Sequence, residues 1–301
     1  MLKTLDVLCL GETMILVSPT EPTPLVEAEL FQLSAGGAES TVAMYMAELG
    51  YATAWAGVLG SDPLGVRIVE TLEKHGVDTT FVTYSKTAPT GVYFKNPGAA
   101  SPKVHYYRKG SAASYMHAGL LDSLPLESVR LVHASGVTAG LSSTCRVLME
   151  SLASRLRDSP ASFSFDVNYR PGIWGVEEAA PVLLSLARAA DYVFVGRDEA
   201  QILWNTTTAQ SVLEHIRPRG TLIVKDGSVG AVEFSSAGEV FVPSPRIEVV
   251  EEVGAGDAFA AGYLAARMSG GTAEKALTNG HMLAARTLRS TSDFVPCVKP
   301  Q

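Results

Sequence analysis

Cysteine is scarce in this 301-residue chain: Cys9, Cys145 and Cys297 are odd in number, far apart, and at no zinc-like interval from histidine. A disulfide framework and a structural zinc are thereby excluded, and a reduced, cytoplasmic setting is the expectation. Basic charge is also short. Against 31 acidic residues stand 24 basic ones, a net charge of −7, which is the wrong sign for non-specific nucleic-acid binding. No apolar run approaches the length of a membrane span, and the first residues lack the basic segment, long apolar core and cleavage site of a secretion signal. Repeats, low-complexity tracts and charged tails are missing too. So are two common phosphate-binding patterns. There is no Gly-Lys-Ser/Thr P-loop, and Phe259 stands where a dinucleotide fingerprint needs its third glycine.

What is present is a large core and a rhythm. Hydrophobic residues make up 47% and charged residues 18%, the profile of a packed globular protein. Strands are expected at Asp6–Leu10, Ala52–Val58, Val129–Ala134, Ser162–Phe165, Tyr192–Val195 and Thr221–Val224. Helical patterns lie between or after them at Glu39–Leu49, Leu64–His75, Ser143–Arg157, Glu177–Ala189 and Ala258–Met268. This alternation predicts an α/β fold, a mostly parallel central sheet covered by helices on both faces. The nearly all-apolar strands agree with a sheet buried on both sides. Two stretches, 13–34 and 89–111, break the rhythm. The second carries two β-like pieces, Gly91–Lys95 and Lys103–Arg108, around Asn96-Pro97-Gly98. Both read as β-insertions into a single domain spanning 1–301, forming a small β-sheet lid at the sheet end where ligands bind.

The densest chemical signal is Val249–Leu264, where a strand-like run feeds Gly254-Ala255-Gly256-Asp257 and then a helix of small residues. Glycines let a backbone approach phosphate oxygens, and a helix start presents free N–H groups and partial positive charge. Asp257 reads either as a helix cap or, beside a bound phosphate, as a base for an attacking hydroxyl. Residue types alone leave both readings open.

Gly254–Leu264, together with Gly36-Gly37-Ala38-Glu39-Ser40-Thr41-Val42-Ala43 and Leu49-Gly50, resembles the paired signatures of the PfkB (ribokinase-like) carbohydrate kinases. The resemblance covers essentially the whole chain. Within the family it points to the 2-keto-3-deoxygluconate kinases, through Thr90–Phe94, Tyr106-Tyr107-Arg108, Asp166–Arg170 with Trp174, and Gly280-His281 leading to Asp293. It implies an ATP-dependent kinase that uses Mg²⁺ and phosphorylates the C6 hydroxyl of a sugar acid. Asp257 would be the base, and the N–H groups of Gly254, Ala255 and Gly256 would steady the moving phosphoryl group. Gly37, Tyr93, Tyr106, Arg108 and Arg170 would line the sugar-acid pocket, with Asp293 near its reacting end. Lys225, Gly227, Gly230 and Asn279 would border ATP, and Glu199 would reach Mg²⁺ through water. Guanidinium forks suit a carboxylate, and tyrosines offer a flat wall with a hydroxyl.

Three positions depart from the family pattern. Glu251-Glu252 replaces Asp-Thr, which argues against a monovalent cation; Thr41 replaces a pocket Asn; Gly196 replaces the Asn of an Asn-x-x-Glu motif. A kinase for fructose or another neutral sugar is the alternative reading, and a catalytically silent sugar-binding regulator is a third. A homo-oligomer is expected through the β-lids, with Val92, Phe94 and Val104 as the apolar faces to be covered.

Overall fold

The structure, a computed structural model, describes residues 5–97 and 103–297; Gly98 of the expected turn and Met1–Thr4 lie outside the described residues. The chain begins with β1 (Val7–Leu10), β2 (Met14–Pro19) and β3 (Phe31–Gly36), then α1 (Ala38–Glu48), β4 (Thr53–Gly60) and α2 (Pro63–Lys74). Next come β5 (Val77–Asp78), β6 (Val82–Ser85), β7 (Val92–Asn96) and β8 (Lys103–Tyr107). The middle of the chain holds β9 (Leu131–Ser135), α3 (Gly136–Gly140), α4 (Ser143–Arg157), β10 (Ser162–Asp166), α5 (Val176–Ala189) and β11 (Tyr192–Gly196). It closes with α6 (Arg197–Trp204), α7 (Ala209–Ile216), β12 (Thr221–Asp226), β13 (Gly230–Ser235), β14 (Gly238–Pro243), α8 (Ala255–Met268) and α9 (Ala273–Leu288).

The main sheet has the order β14-β13-β12-β11-β10-β9-β1-β4-β5, with β6 also on β4. Every pairing from β12 through β5 is parallel, and only β13 runs the other way, pairing antiparallel with both β12 and β14. Strand residues alternate between two cores, as a period of two requires. Leu8 and Leu10 join one cluster while Val7 and Cys9 join the other; Phe163 and Phe165 face the first, Phe194 and Ile223 the second. Helices α4 to α7 cover the first face, and α1, α2, α8 and α9 the second. The expected fold is therefore present, with all six expected strands and all five expected helices in place.

Local chemistry starts the helices where they are needed. Asp62 caps α2 by accepting from the Gly65 N–H at 2.9 Å, with Pro63 in the first turn. Ser142 caps α4, whose Leu148, Leu152 and Leu156 recur at helical spacing on the buried face. Each such leucine contributes about 1.5–3 kcal/mol by leaving water.

The two β-insertions come together as a second sheet, β3-β2-β7-β8, in which β2 pairs parallel with β7 across some seventy residues of chain. Cross-strand register divides it into two faces. Met14, Leu16, Tyr93 and Val104 pack together on one of them. Of the three residues expected to form the outer apolar face, Val104 therefore lies on the opposite side, because it shares a face with Tyr93. Val92 and Phe94 do share the outer face with Val17, Leu33 and Tyr107, but they are half-buried.

Candidate active site

Parallel strands end side by side, so residues following β1, β9, β10, β11 and β12 meet at one edge of the main sheet. They floor a cavity of about 460 Å³. Glu12 follows β1, Val137 follows β9, and Asp166 closes β10 with Asn168 and Arg170 behind it. Gly196, Asp198 and Glu199 come from the β11–α6 junction, and Lys225 from β12. The small sheet adds Met14, Tyr93, Val104, Tyr106 and, just beyond β8, Arg108. The last wall is the start of α8, with Gly254, Gly256 and Asp257 beside Asp293.

Gly254 has φ +84°, the left-handed region, and a Cβ there would lie 2.6 Å from the Asp293 carbonyl oxygen. Glycine is thus required twice, by conformation and by contact. No side chain caps α8. Its first N–H groups are left to whatever anion enters the cavity. The Ala255 N–H is the exception, since it donates to the Glu252 carbonyl at 3.3 Å. Of the three expected phosphate-facing residues, Gly254 and Gly256 line the cavity and Ala255 does not.

The charges are arranged in pairs. Lys225 Nζ is 2.7 Å from Asp166 Oδ2. Burial works against its ammonium, but Asp166 and Glu199 outweigh it and raise the pKa. Arg170 meets Glu199 at 3.3 Å, and burial holds the Glu199 carboxyl above its ordinary range. Arg108 is ion-paired to the fully buried Glu12, which also accepts from Ser111 Oγ at 3.2 Å. The Arg108 guanidinium lies over the Tyr106 ring, 5.2 Å from its centroid, and Tyr106 stacks on Tyr93. Tyr93 donates to Asp293 Oδ2 at 2.6 Å. Asp257 stands among these groups: burial, then the Asp166 carboxylate, pushes its pKa up to about 8, while Arg170 and Lys225 pull downward.

Among the described residues that line the cavity, two carry a buried polar atom with no partner within the protein. Arg108 Nε is one. The other is Oδ1 of Asn168, a cavity residue held at φ 40°. An unpaired buried donor or acceptor costs about 1–3 kcal/mol, and in a cavity wall it marks where a ligand would bond.

A protein-family profile described as pfkB family carbohydrate kinase matches residues 4–297. The chain belongs to this family. It is 31% identical over 297 residues to the 2-dehydro-3-deoxygluconokinase of Bacillus subtilis, covering 96% of this chain and 91% of that one. A PfkB protein from Polaromonas sp. superposes with TM-score 0.88 at 34% identity, over 96% of this chain and 97% of its own. A sugar kinase of Pyrococcus horikoshii, solved in complex with ATP, gives TM-score 0.85 at 25% identity, over 96% and 94% of the two chains. The protein is accordingly a carbohydrate kinase with the ribokinase-like fold.

For a PfkB kinase, the placement of the sequence-derived residues is instructive. Gly37, Tyr93, Tyr106, Arg108, Arg170, Asp293, Asp257, Gly254, Gly256, Lys225 and Glu199 all meet in this one cavity. Gly227, Gly230 and Asn279 do not. They sit beyond Lys225, where the Gly227 carbonyl accepts from Ser244 Oγ at 2.8 Å and Ser244 in turn meets His281 of α9 at 3.4 Å. Thr41 is fully buried in α1 and is not among the residues that line the cavity. At Gly196, which offers no side chain, Glu199 Oε2 accepts from the backbone N–H at 2.9 Å and caps the start of α6. Glu12 was given no role from the sequence, and Asp166 and Asn168 appeared there only in the run that carries the resemblance, without a site role. Each is a polar residue just at or past a strand's carboxyl end, and that position was the available signal.

Proposed function

We propose that this kinase transfers the γ-phosphoryl group of ATP to the C6 hydroxyl of 2-keto-3-deoxygluconate, giving 2-keto-3-deoxy-6-phosphogluconate and ADP. The observation that carries the sugar acid is Arg108: its Nε is buried without an acceptor although its other arm already holds Glu12. A substrate carboxylate would supply the missing acceptor by a charge-assisted bond. The name of the Bacillus subtilis relative, a 2-dehydro-3-deoxygluconokinase, supports the same class of acceptor.

The proton of the C6 hydroxyl passes to Asp257 as that oxygen bonds to the γ-phosphorus; the bond from phosphorus to the bridging oxygen breaks and ADP leaves. Free N–H groups at the start of α8 and the Lys225 ammonium face the charge that develops on the phosphoryl oxygens. Among the described residues, no three His, Cys, Asp or Glu side chains converge as metal ligands. Asp166 and Glu199, oxygen donors in the same cavity, would reach through water a Mg²⁺ that arrives on the nucleotide. When bound, that ion would neutralise phosphate charge.

A neutral sugar is the competing acceptor, because Glu12 and Glu199 already balance both arginines. Initial rates over a panel of sugars and sugar acids decide between them. The sugar acid should give the highest kcat/KM, and Arg108→Ala should lower that value by about a hundredfold while changing a neutral sugar's little. Equal losses for both substrate types would remove the carboxylate assignment. We also propose that the small sheet acts as a lid and pairs two copies of the chain through its outer face.

A further inference from the structure

Lys95 has no place in the reaction scheme, yet it is the most completely engaged cation near the site. Alternate residues of a strand share a face, so Tyr93 and Lys95 on β7 both turn from the small sheet into the body, 3% and 4% exposed. Lysine is rarely buried this far unless paired. Its ammonium carries three donors, and three oxygens receive them: the Thr291 carbonyl at 2.8 Å, Asp293 Oδ1 at 2.8 Å and Glu251 Oε1 at 2.7 Å. With Tyr93 on Asp293 Oδ2, one strand of the small sheet holds both oxygens of a carboxylate in the cavity wall. Through Glu251 the same ammonium holds the segment leading into Gly254, whose backbone lies directly against Asp293.

We propose that Lys95 is a positioning residue: a tethered cation that fixes Asp293 and the approach to the Gly254 turn, and so makes seating of the small sheet and assembly of the site one event. Without its ammonium, two carboxylates and a carbonyl face one another with no counter-charge. Such an all-oxygen hollow, short of the single positive charge the ammonium supplied, can be balanced by a small monovalent cation. Removing the tether should therefore create a demand for free cation that the native protein does not have. This rests on the cavity being the place of phosphoryl transfer, and not on which sugar acid fills it.

The experiment compares the full chain with Lys95→Ala, Lys95→Met and Glu251→Gln in tetramethylammonium buffer, with and without ammonium or potassium chloride. Steady-state constants for acceptor and for ATP are measured, with thermal unfolding in the same salts. Native rates should stay within about twofold across salts, whereas Lys95→Ala should lose about a hundredfold in kcat/KM for the acceptor. Its KM for ATP should hold, and both rate and melting temperature should recover on adding ammonium or potassium. Lys95→Met, whose chain fills the hollow, should lose as much and recover nothing. Glu251→Gln keeps the ammonium and should show a smaller rise in acceptor KM.

Native-like acceptor constants in Lys95→Ala overturn the proposal, as does an equal rise in KM for ATP. Recovery of Lys95→Met by the same salts overturns it too. If Lys95→Ala does not fold, native acceptor constants in Glu251→Gln overturn it. If the native chain phosphorylates no sugar acid, the substrate assignment falls, while the salt-dependent melting of Lys95→Ala still decides the role of Lys95.

Discussion

Asp257 illustrates how a single side chain is set by what surrounds it. A carboxyl held up near 8 by burial and the Asp166 carboxylate is mostly protonated at neutral pH. A base must first be free of its proton, so kcat/KM should rise with pH and level off close to 8. Asp257→Asn should lower kcat by about a thousandfold while ATP binding, measured by calorimetry, is retained. Stability should move the other way. A carboxyl whose folded pKa exceeds its unfolded value contributes most below the unfolded pKa, and that contribution is lost as pH rises through the folded pKa. The window here runs from about 4 to about 8. Asp257→Asn cannot ionise, so its melting temperature should exceed the native one by a margin on the order of 2 °C at pH 8, shrinking toward pH 5. A flat difference across that range would mean that the carboxyl is not held protonated.

At the scale of elements, the start of α8 is fixed by one glycine. Gly254→Ala would place a methyl group in the left-handed region, 2.6 Å from the Asp293 carbonyl. Conformation alone costs about 1–2 kcal/mol. The clash must also displace either the turn or Asp293, so kcat should fall with stability, whereas a purely conformational effect would spare it. Denaturant unfolding and steady-state rates on one preparation separate the two.

The main sheet was legible in the sequence because each strand and helix announces itself locally, by apolar runs in β1 and β11 and by capped, periodic stretches in α2 and α4. The two glycine-rich signatures placed α1 and α8 at a common site by resemblance, where residue types alone left a capped turn equally open. The small sheet was legible only in part. Its strands were visible as β-like pieces, but the pairing of β2 with β7, and hence which side chains face the cavity, depends on register between distant segments. Lys95 was silent for the same reason. Its partners lie 156 and 198 residues away, and a lysine near the end of a strand in an insertion reads as a solvated charge.

Over the whole molecule, register also decides what the small sheet offers to solvent. Its inner face carries Tyr93 and Tyr106 into the cavity wall and Lys95 into the body, while Leu33, Val17 and Phe94 stand in line across the outer one. Phe31 is 41%, Leu33 38% and Tyr107 69% exposed, on the outer strands β3 and β8. The free edge of β3 is blunted where Arg67 donates to the Leu33 carbonyl at 3.1 Å, so growth of the sheet by edge pairing is hindered there. Association should instead press the outer faces of two lids together, covering this apolar stripe. Sedimentation at micromolar concentration should give a species of at least twice the 31.8 kDa chain mass. Phe31→Asp with Leu33→Asp should return a folded monomer, because two charges at the contact would have to be desolvated without partners. A native chain that sediments as a monomer would leave the lid working alone, with its outer face in water.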